Sequence, residues 1–186
     1  MTHTLVAWLS MALGVFWVVG AYNRLIRLRA QTISAFATLD APLTRYVELA
    51  DGLLQAASGL ELAQAVAAPR GADSGTAWAG LQGASTQFEA SLKVARKRIL
   101  DAGAMAALQT AHATLQMSWA RVEQECCATL DLLAPLGSRQ WIENAQAARH
   151  AIDAFNRAVH DHNAAIRQFP ALLLAYMFSF HPAGGL

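Results

Sequence analysis

The side chains best suited to metal binding or acid–base chemistry are six histidines. They are His3, His112, His150, His160, His162 and His181. A helical bundle that holds a metal ion takes Glu-x-x-His pairs from facing helices, and this spacing does not occur in the sequence. His160 and His162 are two residues apart, so on a helix they point to different faces. The histidines therefore give no basis for a metal site.

The two cysteines, Cys126 and Cys127, are neighbours in the sequence. A disulfide between neighbours is strained and links no distant parts of a fold, so we expect reduced thiols, as in a cytosolic domain. One of the two is expected to face the core as a small apolar side chain.

A second group of polar side chains, Arg157, Asp161 and His162, crowds one short stretch. A charged face of a helix explains these residues without catalysis. The sequence contains no glycine-rich phosphate loop, no Gly-x-Ser-x-Gly, no Cys-x-x-Cys and no His-Glu-x-x-His. We therefore expect a protein that is not an enzyme and that takes no cofactor.

The composition of this 186-residue chain favours helices, because alanine, leucine and glutamine are abundant and only five residues are proline. Hydrophobic residues make up 55% of the chain and charged residues 15%, an apolar balance even for a chain with one membrane-spanning segment. The formal net charge is +1, which gives no reason to expect nucleic-acid binding. The length suits one anchor and one modest domain.

The most apolar stretch is residues 5–22, which contain no charged side chain and are followed at once by Arg24, Arg27 and Arg29. Such a run is just long enough to cross the hydrocarbon core of a bilayer. The positive charge follows the run and no cleavage site is evident, so we predict an uncleaved anchor rather than a signal peptide. Because arginine favours the cytoplasmic side, we expect the N-terminus outside and the domain in the cytoplasm, at a bacterial-type inner membrane.

Four helical patterns, separated by short breaks that contain proline or glycine, make up the chain. They predict helices over residues 5–62, 76–100, 104–134 and 139–168. The predicted fold is all-α: an N-terminal transmembrane helix that continues into an antiparallel up-and-down four-helix bundle. Its parts are an anchor over residues 1–22, a bundle over residues 23–170, and an apolar tail over residues 171–186 that packs on the bundle or lies against the bilayer.

The buried face of the first helix is predicted from a heptad-like spacing. It runs through positions 22, 26, 29, 33, 36, 40, 43, 47, 50 and 54. Arg29 and Asp40 interrupt this face. Arg29 is near the head groups and can extend toward them, whereas Asp40 is expected to pair with an arginine or to cap a nearby turn rather than to act as a catalytic acid. Counting back along an antiparallel last helix places Asp40 opposite residues 149–155, with Arg149 as its partner.

Two patterns near the ends of the chain carry a family resemblance. The end has Phe155-Asn156, Val159, Asn163 and then Phe169-Pro170, and the start has Tyr22-Asn23-Arg24-Leu25, Leu28-Arg29, Leu39-Asp40 and Leu43. Together they resemble the LemA family, and departures at residues 50–53 and 101–105 mark a divergent member. The resemblance implies a membrane-anchored antiparallel helical bundle for which no biochemical activity is established. The residues of this chain that carry the signature are Tyr22, Asn23, Arg29, Asp40, Asn156, Asn163, Phe169 and Pro170.

The two signature asparagines, Asn156 and Asn163, are seven residues apart and therefore lie on one face of the last helix. We expect their side chains to bond across to the first helix, opposite Ile33 and Ile26. There they would fix the register of the two helices rather than bind a ligand.

The sequence thus favours a non-enzymatic, membrane-tethered interaction or scaffold module. Its expected partners are the lipid bilayer and a membrane or cytosolic protein, with no nucleic acid among them. The alternative is a bundle that binds a small molecule or a metal ion, as a sensor does.

Overall fold

A computed structural model of the chain describes residues 2–65, 73–125, 137–168 and 182–186. Within these ranges it does not describe the side chains of residues 2–4, 7, 10, 60–65, 73 and 74. The described residues form four helices and no strand. The helices are α1 (Thr2–Ala65), α2 (Asp73–Lys97), α3 (Ala102–Glu125) and α4 (Gly137–Arg167). The predicted all-α class is confirmed, and the described residues contain the four predicted helices.

Several predictions fall on residues outside this description. They concern the first loop over residues 67–72, the third helix beyond Glu125, the thiols of Cys126 and Cys127, the signature residues Phe169 and Pro170, and the tail through residue 181. Within the described part, helix boundaries differ from their predictions by up to three residues: the first helix covers 2–65 rather than 5–62, the second covers 73–97 rather than 76–100, and the last two begin at 102 and 137 rather than at 104 and 139.

Helix α1 packs antiparallel against α4. Near its start, Arg24 Nη1 donates a hydrogen bond to Gln168 Oε1 at 3.0 Å. Farther along, the rings of Phe36 and Phe155 meet edge to face, with their centroids 5.7 Å apart. Residue numbers rise along α1 as they fall along α4, so the predicted antiparallel register of the first and last helices is confirmed.

Helices α2 and α3 form an antiparallel hairpin whose turn is fixed by Asp101. The Asp101 carboxylate accepts hydrogen bonds from the N–H groups of Gly103 and Ala104, at 2.8 and 3.4 Å, and so caps α3. The carbonyl of Asp101 accepts the first helical bond, from the N–H of Met105, at 3.0 Å. The predicted break near residue 101 therefore has a local cause, an aspartate placed where the first N–H groups of a helix need an acceptor.

The core lies between the α1–α4 pair and the α2–α3 hairpin. Its largest fully buried apolar side chains include Phe88, Phe155, Leu39, Leu43, Leu81, Leu92, Met105, Leu108 and Leu115. Helix α3 meets α4 through Trp119 and Trp141, whose rings are stacked at 4.5 Å with 17° between their planes. Two large aromatic rings thus fill the space between α3 and α4.

The buried face of α1 agrees with the prediction at Phe36, Leu43 and Ala50 but differs from it near the start of the helix. It follows a heptad line through Leu25, Thr32, Phe36, Leu39, Leu43, Tyr46, Ala50, Leu53 and Ala57. Ile26 and Ile33, predicted to be inside, are 44% and 41% exposed. The reason is that Thr32 lies on the true line and carries a polar atom, so the apolar pattern alone follows the isoleucines one residue along. Each residue turns a helix by about 100°, and this shift rotates the predicted face away from α4.

The prediction of a membrane-spanning first helix has no support here. Across the described stretches of the chain, no helix combines the length and the apolar character needed to cross a membrane.

Truncating Leu39 tests the corrected face of α1. Leu39→Ala should lower the free energy of unfolding by about 2–5 kcal/mol, because it leaves a cavity in the core. Ile33→Ala is the matched control on the same helix and should cost less than about 1 kcal/mol. Chemical denaturation followed by circular dichroism measures both, and equal losses would contradict the assignment.

Candidate functional site

Asn156 and Asn163, which carry the second half of the family signature, lie half-buried on α4. Both bind the main chain of the segment formed by residues 182–186, here called the C-terminal segment. Asn163 Nδ2 donates to the carbonyl of Ala183, and Asn163 Oδ1 accepts from the N–H of Ala183, each at 2.8 Å. Asn156 makes the same pair of bonds with Leu186, at 2.6 and 2.8 Å. The prediction that these side chains bridge to α1 near Ile33 and Ile26 is therefore wrong.

The spacing of the two asparagines explains why they fit an extended segment. Seven residues of a helix rise about 10.5 Å. Three residues of an extended chain, the separation of Ala183 and Leu186, span about 10 Å. Each asparagine amide therefore meets the donor and acceptor of one residue, as a neighbouring β-strand would. This face of α4 recognises main chain rather than side chains.

The opposite side of the C-terminal segment touches the start of α3. A Cβ atom placed on Gly184 would lie 2.6 Å from the Cα of Ala102, which is backbone and cannot turn aside. A Cβ atom on Gly185 would lie 2.8 Å from Asn156 Oδ1, the atom that accepts the Leu186 N–H. Ala183 is buried, and Leu186 packs on the main core cluster. The segment therefore ties α4 to the tip of the α2–α3 hairpin.

Asp40 forms its ion pair with α2 rather than with α4. Arg96 Nε lies 2.7 Å from Asp40 Oδ1, and Arg96 Nη2 donates to the hydroxyl of Thr44 at 2.6 Å. The predicted pairing with an arginine is confirmed, but the predicted partner Arg149 is wrong. The side of α1 that carries Asp40 faces α2, whereas Arg149 is exposed on α4. With both partners about one-third exposed, the pair is a surface contact rather than a buried one.

The remaining signature residues lie at the start of α1. Tyr22 is half-buried beside a small cluster formed by Leu25, Ala165 and Ile166. Asn23 and Arg29 are exposed. Of the signature residues that the structure describes, those on α1 and those on α4 are thus not brought together into one site.

Two buried polar groups in the α1–α4 interface were not singled out from the sequence. Asn144 Nδ2 donates to the carbonyl of Pro42 at 3.0 Å. The hydroxyl of Thr32 donates to the carbonyl of Leu28 at 3.0 Å and reaches the carbonyl of Ala158 at 3.3 Å. Both residues occupy buried positions in the heptad pattern of their helices, and this pattern would have identified them from the sequence.

His162, predicted to lie on a charged face of the helix with Arg157 and Asp161, is instead almost fully buried, at 1% exposed. Its Nδ1 atom has no hydrogen-bond partner within the part of the chain that is described. Burial lowers the pKa of His162, and the charge of Arg29 lowers it further. The arrangement favours a neutral imidazole used for packing.

A hydrogen-bonded group lies at the centre of the bundle. Gln116 Nε2 donates to the hydroxyl of Tyr46 at 2.8 Å and lies 3.2 Å from His112 Nε2. Burial raises the pKa of Tyr46, opposed by the bond from Gln116 and the charge of Arg149. Burial also lowers the pKa of His112. Both rings are therefore held neutral, and they pack against Phe88.

Two features bear on ligand binding. Among the residues whose positions are described, no three His, Cys, Asp or Glu side chains gather where they would hold a metal ion. An open groove of about 380 Å³ lies between α1 and α2. It is lined by Leu54, Gln55, Ala57, Ser58, Gly75, Trp78, Ala79 and Gln82, none of which is charged.

A double-mutant cycle tests the ion pair between Asp40 and Arg96. Because both side chains are partly exposed, their coupling should be about 0.2–1 kcal/mol in the free energy of unfolding. Asp40→Ala combined with Arg149→Ala is the matched control and should show no coupling. A coupling to Arg149 that equals the coupling to Arg96 would overturn the assignment.

The buried His162 predicts a pH dependence of stability. Its pKa in the folded state is below the usual 6.5, so the unfolded state binds more protons as the pH falls. The contribution of His162 to the free energy of unfolding is fully present above pH 6.5 and is lost as the pH falls from 6.5 toward the pKa of the folded state. The pKa of His112 is also lowered by folding, so its contribution changes with pH in the same direction. His162→Gln should flatten the fall in unfolding free energy measured from pH 7.5 to about pH 5. His150→Gln, an exposed histidine on the same helix, is the control, and an unchanged slope in His162→Gln would reject the assignment.

Comparison of the chain with protein-family models, with curated proteins and with solved structures finds no match.

Proposed function

We propose that this chain is a membrane-tethered interaction module of the LemA type that acts by binding rather than by catalysis. Its proposed partners are the lipid bilayer, through the start of α1, and a membrane or cytosolic protein, through the bundle. The observation that carries the proposal is the apolar surface at the start of α1, which no other described element covers.

Large apolar side chains are exposed on every side of this part of α1. Phe16 is 82% exposed, Leu13 74%, Trp8 71% and Leu9 70%. A helix that is apolar all round needs an apolar surrounding, which is either a protein core or lipid. Residues 5–22 also rise about 27 Å as a helix, close to the thickness of the hydrocarbon core. These facts support a lipid-buried anchor.

The charges that follow the apolar segment support an orientation. Arg24, Arg27 and Arg29 are all exposed. Exposed arginines directly after a membrane segment favour the cytoplasmic side, so the bundle is placed there and the N-terminus outside. A bacterial-type inner membrane is the proposed location.

The polar groups inside the bundle support binding rather than catalysis. Thr32 and Asn144 hold one helix to another, and Asn156 and Asn163 hold the C-terminal segment. These four side chains are thus used to build the bundle, and its outer surface is left for a partner. Crosslinking and pull-down from membranes would identify that partner, and a stoichiometric small molecule seen by native mass spectrometry would favour the sensor alternative.

A charge in the apolar segment tests the anchor. Leu13→Arg should move the protein from the carbonate-resistant membrane fraction into the extractable fraction, because an arginine at the centre of a spanning helix costs about 2.5–3.5 kcal/mol. Ile142→Arg is the matched control, since Ile142 is 55% exposed on α4, outside that segment. Wild-type protein that carbonate extracts, or two variants that behave alike, would contradict the proposal.

A further inference from the structure

We propose that the face of α4 bearing Asn156 and Asn163 is a peptide-binding groove, and that it accepts the C-terminal segment of a second copy of this chain as well as its own. In the structure the groove holds the segment of the same chain. The inference needs only the geometry of this contact and does not depend on the membrane anchor.

The groove recognises a peptide by its main chain. All four hydrogen bonds run between the two asparagine amides and the N–H and carbonyl groups of Ala183 and Leu186. Neither asparagine amide carries a charge, so release of the segment leaves no buried ion on α4. A site of this kind binds an extended strand by β-like pairing and takes its selectivity from the space around each side chain.

The space around the segment defines the peptide that fits. The position of Gly184 admits only glycine, because the backbone of Ala102 blocks any Cβ atom there. The position of Gly185 favours glycine, because a Cβ atom would press on Asn156 Oδ1. Ala183 is only 6% exposed, which selects a small residue, and Leu186 contacts the core, which selects an aliphatic one. The ligand is therefore an extended small-Gly-Gly-aliphatic peptide.

A second copy is the source of such a peptide that the chain itself supplies. Thirteen residues separate Gln168 from Pro182, and a chain of that length spans at most about 45 Å. That reach is enough for a neighbouring copy lying alongside, and exchange would restore the same four hydrogen bonds in the new pairing.

Complementary variants of the full chain test this exchange. Gly184→Val leaves the groove intact but prevents the segment of that chain from binding in a groove. The double variant Asn156→Ala, Asn163→Ala leaves the segment intact but removes the hydrogen-bonding groups of the groove. Mixed together, the two should form a one-to-one pair at least tenfold more tightly than either variant associates with itself. Native mass spectrometry of detergent-solubilised chains measures this.

The matched control is Gly80→Val in place of Gly184→Val, because a Cβ atom on Gly80 meets nothing within 4 Å. Gly80→Val keeps its own segment in its groove and should not pair with the double variant. Folded chains, judged by circular dichroism, that fail to pair in the complementary mixture would overturn the exchange between copies.

A measurement on the unaltered chain decides the matter if a variant does not fold. A synthetic peptide with the sequence of residues 181–186, His-Pro-Ala-Gly-Gly-Leu, should displace the segment of the ¹⁵N-labelled protein. The amide signals of Ala183 and Leu186 should then move to the positions of a free chain. The control peptide has valine in place of its first glycine and should displace nothing. Amide signals that stay unchanged under a large excess of the first peptide would overturn the groove as an exchangeable site.

Discussion

The antiparallel packing of α4 along α1 is the interaction on which the rest of the structure depends. Its contacts run from Arg24 with Gln168, through Phe36 with Phe155, to Tyr46 with Trp141. The α2–α3 hairpin also contacts α1, through the pair Arg96–Asp40 and through the core cluster that holds Phe36 together with Leu92 and Met105. The C-terminal segment lies between α4 and the start of α3, where it is bound by Asn163 and approaches Ala102 closely.

Polar groups in that interface select one register. Thr32 reaches the carbonyl of Ala158, and Asn144 reaches the carbonyl of Pro42. Sliding α4 by one turn along α1 would take the carbonyl of Pro42 away from Asn144, whereas Thr32 would keep its bond to the carbonyl of Leu28 within α1. A buried amide left unsatisfied in this way costs about 1–3 kcal/mol, which is a large share of the stability of a small domain.

The sequence predicted those features of the fold that local signals determine. Helix-breaking residues and the cap at Asp101 mark the boundaries, and short connections make neighbouring helices antiparallel. The rotation of α1 was not predictable from apolar spacing, because the polar Thr32 occupies an inner position while Ile26 and Ile33 do not. The partner of Asp40 and the role of Asn156 depend on contacts between residues far apart in the sequence. Arg96 is 56 residues from Asp40, and Leu186 is 30 residues from Asn156.

The close approach of Gly184 to Ala102 has a consequence for how the chain can diverge. Most tight contacts in a core can be relieved when the neighbour is replaced by a smaller residue. Here the obstacle includes the Cα atom of Ala102, which every amino acid carries. No substitution at position 102 removes that atom, so a larger residue at 184 requires the backbone of the segment or of the start of α3 to shift. A single substitution at this position is therefore enough to disturb the contact between the C-terminal segment and α3.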